Sequence, residues 1–133
     1  MNTRPPLVLI VDDDLAVRES LKFALELEGL EVDVWPRGAD LLASPRLPQA
    51  DCLILEHRMP GMDGFALLAA LQARGCRVPV ILITDAATAT IRRRASQAGV
   101  RHIVEKPLLD SALIESLTDI LGSRPAGRVR KTP

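Results

Sequence analysis

At 133 residues, 47% of them hydrophobic and 26% charged, the chain has the size and composition of one globular domain with its own core. Lys and Arg balance Asp and Glu at 17 each, which excludes a global field suited to nucleic acid. An aromatic content of 2%, with no tyrosine, leaves nothing for broad base- or sugar-stacking surfaces.

In chain order, LVLIV at 7–11 is a continuous apolar run and reads as a strand buried on both faces. It is too short for the core of a signal peptide, and no run approaches membrane-spanning length, so a cytoplasmic location is expected. Asp14 fits the N-cap of a first helix that carries Leu21, Ala24 and Leu25 and ends at Gly29. EVDVW at 31–35 alternates, as suits a less buried edge strand, and Gly38 to Ala43 is a short, weak helix. CLIL at 52–55 is the third strand. Asp63 then caps a helix through Arg74, with Leu67, Leu68 and Leu71 on one stripe and Gly75 beyond it. VPVILIT at 78–84 is the fourth strand, and Ala87 to Ala98 a helix closed by Gly99. HIV at 102–104 is the fifth strand, followed by a helix from Leu108 to Leu121 closed by Gly122. Strand then helix, repeated five times, is the pattern of an α/β fold with a parallel sheet. Cys52 and Cys76 sit beside apolar runs with no C-x-x-C partner and read as reduced, buried thiols. Residues 122–133 (GSRPAGRVRKTP) lose periodicity and read as a basic flexible tail or linker after a domain at 1–121.

Ligands of open parallel sheets bind beyond the carboxyl ends of the strands. Those ends deliver Asp12, Asp13 and Asp14, then Glu56, then Thr84 and Asp85, then Glu105, Lys106 and Pro107. Clustered carboxylates repel, and a hard cation such as Mg²⁺ relieves that repulsion. A hydroxyl and an ammonium nearby can hold phosphoryl oxygens. Singly, each has a plainer reading: Asp14 as a cap, Thr84 as a β-branched strand end, Lys106 as a surface lysine. Together they describe a site that handles a phosphoryl group.

LIVDDDLAVRESL, LILEHRMPGMDGFALL, VILIT and VEKPL, in this order, resemble the receiver domain of bacterial two-component response regulators over roughly residues 6–121. The resemblance implies a flavodoxin-like, doubly wound fold with five parallel strands in the order 2-1-3-4-5 and helices on both faces. It implies that Asp12 and Asp13 are the acidic Mg²⁺-binding pair and that Arg58 offers its backbone carbonyl to the metal, with Glu56 completing the set. It implies Thr84 as the switch hydroxyl, Lys106 as the phosphoryl contact, and Pro107 as the proline after it, often in cis. Implied partners are a histidine kinase, an effector domain or another signalling protein. A homodimer through the fourth helix, fifth strand and fifth helix is also implied, with DNA reached only through an effector domain outside this chain.

Two positions depart from the family pattern. Glu56 stands where the phosphoaccepting aspartate belongs, and Ile103 stands where the aromatic switch residue belongs. The extra methylene carries the carboxylate on the order of 1.5 Å further. A misplacement of about 1 Å can cost roughly a hundredfold in an in-line attack. The longer arm instead puts negative charge near where a phosphoryl group would sit. Glu56 is therefore expected to pair with Lys106 and mimic the phosphorylated state, in a non-enzymatic receiver uncoupled from ordinary phosphorylation. Ile103 has no ring to swing inward.

Arg92, Arg93 and Arg94 cover nearly a full helical turn and cannot share one face. Arg124, Arg128, Arg130 and Lys131 in the tail fit a solvated linker. A competing reading comes from D-x-D at Asp12 and Asp14, which resembles haloacid-dehalogenase-type phosphatases, with Asp12 as nucleophile and Asp14 as general acid. That reading leaves RMPGMDG unexplained.

Overall fold

The structure is a computed structural model that describes residues 4–108 and 111–122. Five parallel strands, β1 (Leu7–Val11), β2 (Glu31–Trp35), β3 (Cys52–Glu56), β4 (Val80–Thr84) and β5 (His102–Glu105), form one sheet in the order β2-β1-β3-β4-β5. Helices α1 (Leu15–Leu27), α2 (Gly38–Leu42), α3 (Gly64–Ala73), α4 (Ala89–Gln97) and α5 (Ala112–Gly122) make the connections or follow the last strand. Strand order reverses between β1 and β3, which opens a crevice at their carboxyl ends.

Every residue of β1, β3 and β4 is buried, and alternation sends successive side chains to opposite faces. One face sets Leu7, Leu9, Leu53, Leu55 and Leu82 against α2, α3 and α4, through Leu41, Leu67, Leu71 and Ala95. The other sets Val8, Ile10, Ile54, Ile81 and Ile83 against α1 and α5, through Leu21, Leu25, Leu117 and Ile120. The sheet is thus leucine-rich on one side and β-branched on the other. Burying each such side chain contributes roughly 1.5–3 kcal/mol. The strand ends stand on a rigid base.

Local chemistry fixes where the helices begin. Asp14 Oδ1 accepts from the N–H groups of Ala16 and Val17 at 2.8 and 3.2 Å, and Asp63 Oδ1 from that of Ala66 at 2.8 Å. The fourth helix starts later than the expected Ala87, because Thr88 Oγ1 caps it through the Ile91 N–H at 3.2 Å. The fourth strand starts at Val80 instead of residue 78: Pro79 has no N–H to give, and only its carbonyl joins the sheet, accepting from Leu53 N–H at 2.9 Å. The fifth strand runs one residue further than expected, to Glu105. The last helix starts at Ala112, not Leu108, and includes Gly122. Leu108 packs against the α1/α5 side of the core, so its apolar character serves packing and not a helical stripe. A short 3₁₀ turn at Leu47–Gln49 was not signalled by periodicity. Cys52 is buried, whereas Cys76 is only partly so, and both are free thiols. Residues 109–110 of the expected last helix, and 123–133 of the basic tail, lie outside the described residues.

Gly64 presses α3 onto the end of β3. Its N–H donates to the His57 carbonyl at 2.8 Å. A Cβ at Gly64 would fall 2.6 Å from the Glu56 carbonyl oxygen and 3.1 Å from His57 Cα. Gly61, with φ +79°, has nothing within 4 Å of such a Cβ and needs glycine only for its backbone angle. Gly64→Ala is therefore expected to destabilise the domain by about 1–3 kcal/mol through overpacking, and Gly61→Ala by about 1 kcal/mol. Urea unfolding midpoints measure both. A Gly64→Ala loss no larger than that of Gly61→Ala would contradict the close approach.

Candidate functional site at the carboxyl edge of the sheet

Asp12 and Glu56 extend adjacent strands β1 and β3, and both are buried, at 1% and 2% exposure. The Asp14 N–H donates to Asp12 Oδ1 at 2.9 Å, while Asp12 Oδ2 is buried with no hydrogen-bond partner. Arg18 Nη1 donates to the Asp12 carbonyl at 2.8 Å, tying α1 to this edge. Burial pushes the Asp12 carboxyl up to about 6, the Asp14 N–H opposes the rise, and Glu56, within hydrogen-bonding reach of a protonated Asp12, adds to it.

Lys106 answers this charge from the end of β5. Its Nζ lies 2.7 Å from Glu56 Oε1 and 3.8 Å from Asp85 Oδ1. At that distance Glu56 Oε1 still lacks a hydrogen bond of acceptable angle, so the contact is a charge pair set off the ideal axis. Burial alone would lower the Lys106 pKa, but the Glu56 contact and the charges of Glu56, Asp12 and Asp85 together raise it above the usual lysine value. The Lys106–Pro107 peptide is cis.

Thr84 is buried at the end of β4, and its hydroxyl faces His57: Oγ1 and Nδ1 lie 3.1 Å apart. Its other contacts, with the N–H and carbonyl of Ala86, are long at 3.4 Å. His57 is the residue that sequence reasoning missed. Its N–H donates to the Ile83 carbonyl at 2.8 Å, and its ring meets Phe65 edge-on, with centroids 5.1 Å apart at 80°. Burial first, then the Arg58 cation, hold its pKa below the usual imidazole value. No residue pattern signals it. It lies one step beyond the Glu56–Ile83 pairing, which sets it beside Thr84.

The remaining expected site residues are less central. Asp13 is exposed, and Arg58 is exposed with its N–H 3.4 Å from Glu56 Oε2. Ile103 is half-buried on β5 opposite Leu82, packed against the α2–α4 side of the core. Asp14 is taken up as the α1 cap, which weakens its case as the general acid of a phosphatase. Among the described residues no three His, Cys, Asp or Glu side chains group as a metal cage. Mg²⁺, however, commonly takes one or two carboxylates and keeps its waters. The orphaned Asp12 Oδ2 beside Glu56 suits that smaller donor set.

The response regulator receiver domain family model matches residues 8–118. The chain is 43% identical over 110 residues to the C4-dicarboxylate transport transcriptional regulatory protein DctR of Rhodobacter capsulatus, covering 81% of this chain and 56% of DctR. It is 37% identical over 115 residues to the transcriptional regulatory protein FixJ of Azorhizobium caulinodans, covering 86% and 54%. Among solved structures it is similar to response regulator protein TrrA from Thermotoga maritima in complex with Mg(2+)-BeF. That match has a TM-score of 0.75 and 28% identity, and covers 87% of this chain and 99% of TrrA. The chain thus spans about half the length of the curated relatives it matches. On this match and on the five-stranded 2-1-3-4-5 sheet with acids at its carboxyl edge, the chain belongs to the receiver domain family of bacterial two-component response regulators.

Proposed function

We propose that this receiver domain is uncoupled from ordinary aspartyl phosphorylation and that Glu56 stands in for the phosphoryl group. The observation that carries the reading is the 2.7 Å contact between Glu56 Oε1 and Lys106 Nζ. An ammonium placed to hold an incoming phosphoryl oxygen is already engaged by the strand-end carboxylate, so it offers less to a transferring group. The mimicry covers the lysine contact only, because the Thr84 hydroxyl is turned to His57. Mg²⁺ bound by Asp12 and Glu56, with the Arg58 carbonyl as the further donor the family pattern implies, would neutralise the paired acids.

Output on this reading is by protein contact, in the cytoplasm, with no chemistry performed by the domain. A histidine kinase, an effector domain or a second copy through α4, β5 and α5 are the proposed partners. Leu15, Phe23 and Leu27 on α1 are 62%, 67% and 71% exposed, which supports a protein-binding surface. DNA contact is assigned to an effector domain outside this chain.

Incubation with Mg²⁺ and acetyl phosphate tests the uncoupling. Wild type is expected to remain unlabelled, while Glu56→Asp gains an acid-stable, base-labile label at a rate higher by about a hundredfold. Wild-type labelling at the rate of Glu56→Asp would overturn the reading.

Asp12 gives a second test. Its folded pKa of about 6 lies above the ordinary 3.8, so between these values the native state holds more protons than the unfolded chain. Stability is then expected to fall as pH rises through that window in chelator, and Asp12→Asn is expected to flatten the slope. Above the window, where Asp12 is ionised, added Mg²⁺ is expected to raise the urea midpoint in wild type and not in Asp12→Asn. A wild-type slope of opposite sign, or equal Mg²⁺ effects in both proteins, would contradict this account.

A further inference from the structure

Three side-chain contacts run in series away from the strand ends. Thr84 Oγ1 bonds His57 Nδ1 at 3.1 Å, the His57 and Phe65 rings form a T-shaped pair at a centroid distance of 5.1 Å, and Arg94 Cζ lies 4.0 Å from the Phe65 centroid. They join the end of β4 to the residue after β3, then to α3 and to α4. His57 bonds to the end of β4 through Nδ1 and packs its ring on α3, so it is the member that joins the hydroxyl to the helices. Arg94 sits over a ring face, the geometry of a cation–π contact.

We infer that His57 is a positioning residue that holds the Thr84 hydroxyl away from the Glu56–Lys106 pair and links the state of that hydroxyl to Arg94 on α4. The inference rests on the receiver reading only for the importance of Thr84. The hydroxyl cannot turn toward Glu56 while it keeps Nδ1, so any event that draws it there breaks the His57 bond and frees the imidazole to shift against Phe65. Such a bonded and an unbonded arrangement supply the two states that a coupling between sites requires. Ile103 carries no ring at the position where the family keeps its moving aromatic, and the paired rings of His57 and Phe65 follow β3 and sit on α3 instead. His57, Arg58, Asp63, Ile91 and Arg94 also line one open cleft, so a displaced Arg94 changes a surface that a partner can touch.

Two variants separate the hydrogen bond from the ring. His57→Phe keeps a ring against Phe65 and loses Nδ1; His57→Asn can place an amide near the Nδ1 position and loses the ring. Three-bond carbon and nitrogen couplings to the Thr84 methyl report its rotamer, and the Arg94 Nε–Hε cross-peak reports the far end. Backbone amide spectra check that each variant is folded. Thr84 is expected to hold one rotamer in wild type and His57→Asn and to average over several in His57→Phe. Thr84→Val is expected to displace the Arg94 cross-peak in the wild-type background and to leave it in place in His57→Phe. Unchanged Thr84 couplings in His57→Phe, or an Arg94 displacement by Thr84→Val that is absent in wild type or equal in both backgrounds, would overturn the proposal. None of these signals needs phosphate or metal, so their failure is distinct from a failure of the phosphodonor experiment on Glu56→Asp.

Discussion

Two acids extend neighbouring strands of one parallel sheet, and the sheet gives them no room to part. Strands lie about 4.8 Å apart, and the β1–β3 register that sets Val11 opposite Leu55 sends Asp12 and Glu56 out side by side. Both are almost fully buried, and burial first, then Glu56, raise the Asp12 pKa. The rest of the edge is arranged around this repulsion. Lys106 reaches across from β5, the Asp14 N–H donates to one Asp12 oxygen, and the other oxygen is left without a partner. A proton or a hard cation is the natural complement to that last oxygen. The acid on β3 reaches the lysine, with Oε1 2.7 Å from Nζ.

The scaffold leaves little freedom to relax the arrangement. β3 and β4 are buried along their whole length, and Gly64 allows α3 to pack directly on the Glu56 and His57 backbone. His57 is thereby held between β4 and α3, and the Thr84 hydroxyl takes the partner within reach. Glu56 on β3 and the imidazole of His57 after it take one partner each. The lysine faces the acid and the threonine faces the ring.

Much of this was legible in the residues. Continuous apolar runs at 7–11 and 52–55 gave buried strands, and Asp14 and Asp63 gave helix starts, because each signal is local in origin. The strand ends alone gather Asp12, Glu56, Thr84 and Lys106. What escaped was decided by packing. Leu108 has the spacing of a helical stripe but packs against the α1/α5 side of the core, outside the helix. Thr88 outcompetes Ala87 as a helix start, since only its side chain can accept the Ile91 N–H. The Thr84 hydroxyl faces His57, and a residue pattern carries no information on which neighbour a hydroxyl will face. His57 was passed over because a lone histidine after a strand has no signature; its role comes from the strand register and from the Phe65 ring.

The central claim is that the Glu56 carboxylate and the Lys106 ammonium are energetically joined. A double-mutant cycle with Glu56→Gln and Lys106→Met, read by urea unfolding near neutral pH, measures that coupling with least disturbance of volume. The account expects a favourable coupling of about 1–2 kcal/mol, below that of a fully buried pair because the lysine is partly exposed. Coupling below about 0.3 kcal/mol would contradict it, since the two single losses would then add as for independent sites.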